Sequence, residues 1–250
     1  MGVKSKRKGC KKWIILGVFV ILMISIFVGL LLTKEIRIAP FLAKSYSVCG
    51  VDVSHYQGTI DWTKLAGNAI DFAYIKSTEG SSHVDEKFRE NWKKASNEDL
   101  LIGAYHFFSF ESEGKRQADW FIQNVGSLSG KLPPVVDIEY YSTEKKMPPV
   151  SKIRENLSQI LASLEKQYSV KPIIYTTYPV YHKYIEGYFS SYPLWIRNVY
   201  YQPNWDIGAV WKIWQYTDRA VLNGYAGQEK YIDKNVFCGK KEELMAMRCP

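Results

Sequence analysis

Two carboxylate residues, Asp137 and Glu139, stand two positions apart at the end of the apolar run 134–139. The run is typical of a short buried β-strand. Because strand side chains alternate between two faces, Val135, Asp137 and Glu139 are predicted to share one face. Two close carboxyl groups cannot both ionise cheaply, so one keeps a proton while the other stays charged. Enzymes that hydrolyse glycosidic bonds use one protonated and one charged carboxyl group in this way. The pair alone is a weak signal, since an Asp-x-Glu at a strand end is more often two solvated charges.

The amino-terminal segment is predicted to cross a membrane. Residues 13–33 form an uncharged stretch of 21 residues rich in Ile, Leu, Val and Phe. A helix of this length spans about 30 Å, the thickness of the hydrocarbon layer. Residues 1–12 hold six basic residues and no acidic one, which places the amino terminus in the cytoplasm and residues 35 onward outside. A cleaved signal peptide is the alternative, but its apolar core usually has only about 7 to 15 residues.

Most of the net charge of +8 belongs to the first 34 residues. Residues 1–34 hold seven of the 33 basic residues and no acidic one, whereas the remainder has 26 basic and 25 acidic residues. A nearly neutral outer domain lacks the excess of basic residues that nucleic-acid-binding proteins use, so no nucleic-acid partner is predicted. The polypeptide is long enough for one large domain with its own core, and we expect a monomeric catalytic domain.

The cysteines allow more than one arrangement. Cys10 lies in the predicted cytoplasmic tail, which leaves Cys49, Cys238 and Cys249 outside, where a disulfide can persist. A Cys49–Cys238 pair, a Cys238–Cys249 pair and a free buried thiol all remain open. No Cys-x-x-Cys or His-rich spacing indicates a metal site, and no cofactor is predicted.

Strand patterns and helical patterns alternate from residue 48 onward, which favours a parallel sheet with right-handed crossovers. Eight strands favour closure into a barrel, but residues 48–239 fall short of the roughly 250 residues of a full eightfold barrel. We therefore predict an α/β fold, a trimmed TIM-like barrel of eight strands with about five helices. An open doubly wound sheet is less favoured, because no Gly-rich phosphate loop is present. The predicted strands are 48–54, 71–77, 101–108, 134–139, 172–177, 193–198, 211–216 and 231–237.

The last three strands have no helical pattern between them, so the end of the barrel is expected to be poor in helices.

The predicted organisation of the chain has five parts. The parts are a basic cytoplasmic tail (1–12), a transmembrane signal anchor (13–33), a spacer (34–47), the catalytic barrel (48–239) and a C-terminal tail (240–250).

Polar residues follow the predicted strands at their carboxyl ends. In barrels of this kind the chemistry gathers at that rim, so these side chains are expected to meet there. They are Asp52 and Ser54, Lys76 and Ser77, His106, Asp137 and Glu139, Tyr175, Arg197 and Asn198, and Gln215.

Short motifs in a fixed order extend over most of residues 48–239. They resemble those of the glycoside hydrolase family 25 lysozymes, also called Chalaropsis-type or cellosyl-type muramidases. The motifs are GVDVS at 50–54, QG at 57–58, IDW at 60–62, YIKSTEG at 74–80, GAYHF at 103–107, DIE at 137–139, LWI at 194–196, WQY at 214–216 and IDKNVF at 232–237.

The resemblance implies an extracellular enzyme that hydrolyses the β-1,4 bond between N-acetylmuramic acid and N-acetylglucosamine in peptidoglycan. By position, Glu139 would be the general acid/base. Asp137 would be its charged partner, holding the 2-acetamido group of the substrate or the positive charge that develops at the anomeric carbon. Asp52 and Asp233 would complete the acidic cluster. Asp233 reaches the rim only if the eighth strand runs antiparallel to the others, as it does in this family.

The stereochemical outcome stays open. Side chains at i and i+2 of a strand stand roughly 6 to 7 Å apart at their bases. This value falls between the carboxyl separations of about 5 to 5.5 Å in retaining enzymes and about 6.5 to 9.5 Å in inverting ones. Because muramic acid carries a 2-acetamido group, we favour assistance by the substrate.

Other residues have structural alternatives. Asp61 is interpreted as the N-cap of a short helix, and His106 as part of the barrel wall. Aromatic residues make up 15% of the chain, and sugars stack on Tyr and Trp, so a fraction of these side chains is expected to bind substrate. The candidates are Tyr74, Tyr105, Tyr140, Tyr175, Trp195 and Tyr216.

Together these observations predict a single-pass cell-membrane muramidase that acts in remodelling or catabolism of the cell wall. A peptidoglycan-binding module without turnover is the alternative from another class. A chitinase-like enzyme that shares the Asp-x-Glu pair is a third possibility.

Overall fold

The structure is a computed structural model that describes residues 4–140, 148–208 and 210–250, with the side chains of 4–10 and 32 excluded. Residues 1–3 of the predicted cytoplasmic tail and the side chain of Cys10 therefore lie outside the described part. The chain divides into two compact units, Met1–Ile38 and Ala39–Pro250.

The first unit is a single long helix, α1 (Lys4–Leu32). Within the described residues it is the one helix long and apolar enough to cross a membrane, over Lys11–Leu31. Its carboxyl end is closed by the residues that follow: Lys34 adopts a left-handed conformation with φ 61°, and the amides of Glu35 and Ile36 both donate to the carbonyl of Leu30. This hydrogen bonding satisfies carbonyl groups that a helix end leaves without partners.

The second unit is a closed barrel of eight strands. Going round the barrel the order is β1-β11-β9-β8-β7-β6-β5-β3, and pairing of β1 with β3 closes it. Neighbouring strands are parallel except that β11 is antiparallel to both β1 and β9. The predicted trimmed barrel with a reversed last strand is confirmed. The strands are β1 (Val48–Val53), β2 (Thr59–Ile60), β3 (Phe72–Glu79), β4 (His83–Val84), β5 (Leu101–Phe107), β6 (Val135–Ile138), β7 (Ile173–Thr177), β8 (Leu194–Arg197), β9 (Trp211–Ala220), β10 (Tyr225–Ala226) and β11 (Ile232–Phe237).

The five predicted helical patterns correspond to helices between the early barrel strands. Three further short helices in the described part, of four to six residues each, were not predicted. The helices after α1 are α2 (Ala39–Leu42), α3 (Trp62–Ala66), α4 (Phe88–Ala95), α5 (Gly114–Val125), α6 (Val150–Tyr168), α7 (Tyr178–Val180, continued by a π-helical turn, Tyr181–Ile185), α8 (Asn204–Ile207) and α9 (Lys241–Ala246).

The interior of the barrel is filled by large side chains below the rim. Phe72, Tyr74 and Trp195 are buried there together, and Leu244 of α9 belongs to the same buried cluster. Part of the segment predicted as a C-terminal tail is thus packed into the core of the barrel.

Gly103 makes room for the ring of Tyr74. A Cβ atom at position 103 would overlap Cδ1 and Cε1 of that ring, which is itself fully buried. We expect Gly103→Ala to lower the free energy of unfolding by about 1 to 3 kcal/mol, because overpacking forces side chains out of their preferred positions. Urea denaturation of the purified protein would measure it. Gly67→Ala is the control, since a Cβ there meets its nearest atom at an ordinary 3.4 Å; equal losses in both variants would contradict this account.

Residues 39–46 cover the outer surface of the barrel where long helices are missing. Ala39 and Ala43 are buried against outward-facing side chains of β8, β9 and β11, including Trp211 and Trp214. The amide of Ala39 donates to the carbonyl of Tyr200 at 2.9 Å. This part of the predicted spacer therefore packs as part of the barrel unit.

The three cysteines outside the first unit have free thiols. Cys49 and Cys238 lie at the edge of the cluster beneath residues 39–46, whereas Cys249 is buried elsewhere, with its thiol directed to the carbonyl of Leu132 at 3.8 Å.

Candidate active site

A cavity of about 490 Å³ opens at the carboxyl ends of the parallel strands. The four carboxylates singled out from the sequence, Asp52, Asp137, Glu139 and Asp233, all line it. They come from three strands that lie far apart in sequence but meet at one rim. The other lining residues are Val53, Ser54, Tyr56, Gln57, Lys76, Glu79, Tyr105, Phe107, Val135, Tyr175, Trp195, Asp218, Glu229 and Tyr231.

Asp137 and Glu139 point into the cavity from the end of β6. Val135 lines it as well, while Val136 and Ile138 pack in the hydrophobic core on the other face, as strand alternation predicts. Burial raises the pKa of Asp137 well above its usual value, and the neighbouring Glu139 carboxylate raises it further. Burial also raises the pKa of Glu139. The pair therefore holds a proton more readily than exposed carboxyls do.

One oxygen of Asp137 is left without a partner. Among the described residues, Oδ1 is buried and accepts no hydrogen bond. A buried acceptor without a donor costs free energy, so such atoms in native proteins call for an explanation. An N–H group of a bound molecule would satisfy this oxygen.

Asp52 and Asp233 face each other across the β1–β11 pair. Burial raises the pKa of both, and a hydrogen bond joins the two carboxyls. Asp52 also accepts hydrogen bonds from the Asn235 amide at 2.6 Å and the Gln215 amide at 3.3 Å. Because these two donors favour the charged form of Asp52, Asp233 holds a proton more readily than Asp52 does.

The two amides are themselves held in place by aromatic side chains. The indole N–H of Trp195 donates to Asn235 Oδ1 at 3.0 Å, and the hydroxyl of Tyr175 donates to Gln215 Oε1 at 2.9 Å. Each amide oxygen is thereby occupied, so the NH₂ group points at Asp52. The network fixes the orientation of the Asp52 carboxyl group on one wall of the cavity and favours its charged form.

Two cations adjust the acidity of the cluster. Arg197, at the end of β8, lowers the pKa of Glu139, and Lys76 lowers it to a smaller degree. Arg197 is held by Asp218, with Nη2 and Oδ2 2.6 Å apart. Lys76 bonds Glu79 at 2.8 Å and lies over the ring of Phe107, 4.6 Å from its centroid.

The six predicted substrate-binding aromatics divide into two groups. Tyr105, Tyr175 and Trp195 line the cavity. Tyr74, Tyr140 and Tyr216 do not, and substrate binding stays a prediction for all six. Tyr74 points inward but one layer below the rim, where its hydroxyl donates to the Pro133 carbonyl.

Tyr140 and Tyr216 face outward because of strand alternation. Each directly follows an inward-facing residue, Glu139 or Gln215, and so points to the opposite face. Tyr140 packs against Phe110 and Tyr184, and Tyr216 packs against Trp214.

Several cavity residues were not selected from the sequence as site residues. Tyr231 stands two positions before Asp233, so the same alternation could have placed it. Tyr56 lies in the loop after β1, and Glu229 precedes β11; no local pattern marks either of them.

Asp61 and His106 have the structural roles expected from the sequence. Asp61 is the N-cap of α3, where its side chain accepts from the amide of Lys64 at 3.1 Å. His106 is fully buried in the wall, between Thr78 Oγ1 at 2.8 Å and Gln117 Oε1 at 3.0 Å. Burial lowers the pKa of His106 to about 4, so the ring is neutral at pH 7.

The arrangement supports acid/base chemistry on a ligand that occupies the cavity. It combines buried carboxyl groups able to hold a proton, a carboxyl group oriented by two amide donors and aromatic walls. Among the residues that the structure describes, no group of three or more His, Cys, Asp or Glu side chains is placed to hold a metal ion.

Comparison with known proteins gives a consistent result. A family model described as "Glycosyl hydrolases family 25" matches residues 51–225. A solved structure of a family 25 glycosyl hydrolase from Bacillus anthracis is similar, with 45% identity, a TM-score of 0.76 and coverage of 81% of this chain and 94% of that one.

Two curated proteins are also similar over most of the chain. "Uncharacterized protein YegX" of Escherichia coli (strain K12) is 39% identical over 207 residues, which cover 81% of this chain and 74% of YegX. "Lysozyme M1" of Streptomyces globisporus is 31% identical over 222 residues, which cover 82% of this chain and 72% of the relative.

Proposed function

The chain belongs to glycosyl hydrolase family 25, and from that premise we propose how its carboxyl groups share the hydrolysis of peptidoglycan. The protein is a lysozyme-type glycoside hydrolase acting on the bond between N-acetylmuramic acid and N-acetylglucosamine. Glu139 is the general acid and then the general base. Asp137 orients the reacting sugar, and Asp52 with Asp233 forms the wall that stabilises positive charge at the anomeric carbon.

The observation that carries the proposal is the partnerless Oδ1 of buried Asp137. A 2-acetamido N–H that donates to this oxygen would remove the cost of the unsatisfied acceptor. The same hydrogen bond favours the charged form of Asp137 and would move the proton of the carboxyl pair towards Glu139. Substrate binding would thus prepare Glu139 as the acid.

The reaction then takes two steps. Glu139 donates its proton to the glycosidic oxygen while the acetamido carbonyl oxygen attacks the anomeric carbon, which breaks the glycosidic bond and forms a cyclic oxazolinium ion. Asp137 bonds the acetamido N–H throughout. Water next attacks the anomeric carbon and gives a proton to the Glu139 carboxylate, which reopens the ring and leaves the anomeric configuration retained.

The direct test is release of reducing ends from purified peptidoglycan by the full chain in detergent, with mass analysis of the fragments. Muramic acid at the new reducing ends is expected, with the β-anomer formed first. Initial release of the α-anomer would overturn the substrate-assisted route. Glycan that co-sediments with the protein but stays intact would instead indicate a binding module.

The pH dependence tests the influence of Arg197 on Glu139. Because Arg197 lowers the pKa of Glu139, we expect Arg197→Gln to raise that pKa and to move the alkaline limb of the kcat profile to higher pH. Arg219→Gln is the matched control, since Arg219 also faces Asp218, at 3.9 Å, and its loss removes the same charge. An unmoved limb in Arg197→Gln, or equal shifts in both, would contradict the assignment.

We also propose that α1 anchors the enzyme in the cell membrane, with residues 1–12 cytoplasmic, 13–33 spanning and the barrel on the wall side. The 21-residue apolar stretch and its basic flank support this topology. A tethered hydrolase reaches only nearby glycan, which suits local wall remodelling. Recovery of most of the protein in the membrane-free fraction of its host would contradict the tether.

A further inference from the structure

Two exposed aromatic side chains lie on neighbouring elements of the barrel surface. Phe41 of α2 is 72% exposed, and Trp205 of α8 is 56% exposed. Trp205 stacks on Tyr201 with ring centroids 5.5 Å apart. These three residues, Phe41, Tyr201 and Trp205, are called the aromatic face below.

The elements that carry the aromatic face are tied to each other at two points. One is the hydrogen bond from the Ala39 amide to the Tyr200 carbonyl at 2.9 Å. The other runs from Gln202 Nε2 to the Tyr46 hydroxyl at 2.6 Å. Residues 39–46, which include Phe41, are therefore joined to residues 200–205 at both of their ends.

The connection from α1 to this surface is very short. Residues 33–36 fold back on the end of α1, and Ala39 is already packed on the barrel. Even if all six residues from 33 to 38 were extended, they would reach only about 20 Å. Part of that reach is taken up by the headgroup layer, which is about 5 to 8 Å thick on each side.

We propose that the aromatic face of the barrel sits in the headgroup layer of the lipid bilayer. The inference rests on the proposed membrane anchor, since a six-residue link holds Ala39 near the lipid. Trp and Tyr favour this layer because each has an apolar ring and a polar group. Lys44, whose Nζ lies 6.0 Å from the Phe41 ring centroid, adds a positive charge that suits anionic lipids.

Docking through this face would orient the catalytic cavity. The helices α2 and α8, which carry Phe41 and Trp205, pack on the side wall of the barrel over β8 and β9, whereas the cavity opens at the carboxyl ends of the strands. With the aromatic face in the headgroup layer, the mouth of the cavity opens along the membrane surface. The enzyme would then cut glycan strands that run close to the membrane.

The experiment uses the full chain in vesicles of phosphatidylglycerol and phosphatidylcholine, with and without lipids brominated near the top of the acyl chains. Bromine quenches the fluorescence of tryptophan that lies in the outer part of the bilayer. All proteins carry Trp13→Phe, which removes the tryptophan of α1. We expect brominated lipid to quench part of the remaining emission, and Trp205→Phe to abolish that quenchable part.

Trp120→Phe is the matched control. Trp120 belongs to α5, which packs near β3 and α6 and not near β8 or β9, so its loss should leave the lipid-dependent quenching in place. Phe41→Ser should reduce the quenching of Trp205 without removing a fluorophore. Equal sensitivity to brominated lipid in Trp205→Phe and its parent would overturn the proposal. Shielding of Trp205 from aqueous acrylamide in lipid-free detergent, rising with protein concentration, would assign the face to a second copy and overturn it too.

The same samples separate this proposal from those on which it rests. Hydrolysis of soluble glycan fragments should be unchanged in Trp205→Phe and Phe41→Ser, because neither residue lines the cavity. Quenching without hydrolysis in the parent would refute the enzymatic function alone. A separate sample that keeps Trp13 and carries Trp205→Phe tests the anchor, and absence of lipid quenching of Trp13 in that sample would refute it.

Discussion

Glu139→Gln is expected to lower kcat for glycan hydrolysis by about 10²- to 10⁴-fold, the usual contribution of a general acid/base. Gln keeps the size and polarity of the side chain but has no proton to donate to the leaving oxygen. The chain offers a control in the same cavity: Glu229→Gln makes the identical change in another lining residue. Initial rates of reducing-end release, measured on both variants, check the prediction.

The control decides how a loss of activity is interpreted. If Glu229→Gln loses as much activity as Glu139→Gln, the effect comes from the electrostatics of the cavity as a whole. If Glu139→Gln retains nearly full activity, Glu139 is not the acid. Binding of intact glycan should persist in Glu139→Gln, since the aromatic walls at Tyr105, Tyr175 and Trp195 are unchanged.

Asp137→Asn is expected to have opposite effects on activity and stability. Activity should fall by about 10²- to 10³-fold, the usual loss when one oriented polar group at a developing charge is removed. The melting temperature should rise, because a buried carboxyl whose pKa is raised on folding lowers the stability of the folded state at every pH above the usual Asp pKa. Thermal unfolding and reducing-end release on the same preparation check both parts.

The stability gain should depend on pH in a defined direction. Since the folded protein holds the Asp137 proton more tightly than the unfolded chain, the carboxyl is most destabilising above its raised folded-state pKa. The cost declines as the pH falls through that pKa, and it is absent below the usual Asp value, where both states are protonated. The difference in melting temperature between Asp137→Asn and the native protein should therefore shrink on acidification.

Asp119→Asn is the control for the stability measurement. Asp119 lies exposed on α5, beside Lys115, and exposed ion pairs contribute little to stability. Its replacement should leave the melting temperature nearly unchanged at every pH. An unchanged or lower melting temperature for Asp137→Asn at neutral pH would contradict the burial cost assigned to this carboxyl.

Local patterns were enough to predict the barrel and the acidic centre of the site. The bounds of the eight barrel strands follow from apolar runs and turn residues, and most agree with the structure within a few residues. Alternation alone puts Asp137 and Glu139 on one face. The antiparallel last strand, and with it the position of Asp233, came from the family resemblance, because nothing within a single strand states its direction.

The environment of Asp52 could not be predicted from the sequence. Its amide donors, Asn235 and Gln215, are 183 and 163 residues away along the chain. They reach Asp52 only because β11 and β9 close the barrel beside β1. Likewise, the three aromatic residues that do not line the cavity are of the same types as those that do. They differ only in their depth inside the barrel or in the face of the strand from which they project.

The sequence by itself determined those features that depend on near neighbours: the apolar helix α1, the strand and helix periods, the N-cap at Asp61 and the shared face of Asp137 and Glu139. Tertiary structure decided which aromatics line the cavity, how Asp52 is held, and that residues 39–46 pack on the barrel instead of forming a free spacer. The physical reason is that the spacing of apolar residues along a strand or helix shows only which of its sides is apolar. The partner buried against that side is chosen when distant segments come together, and that choice has no local signature.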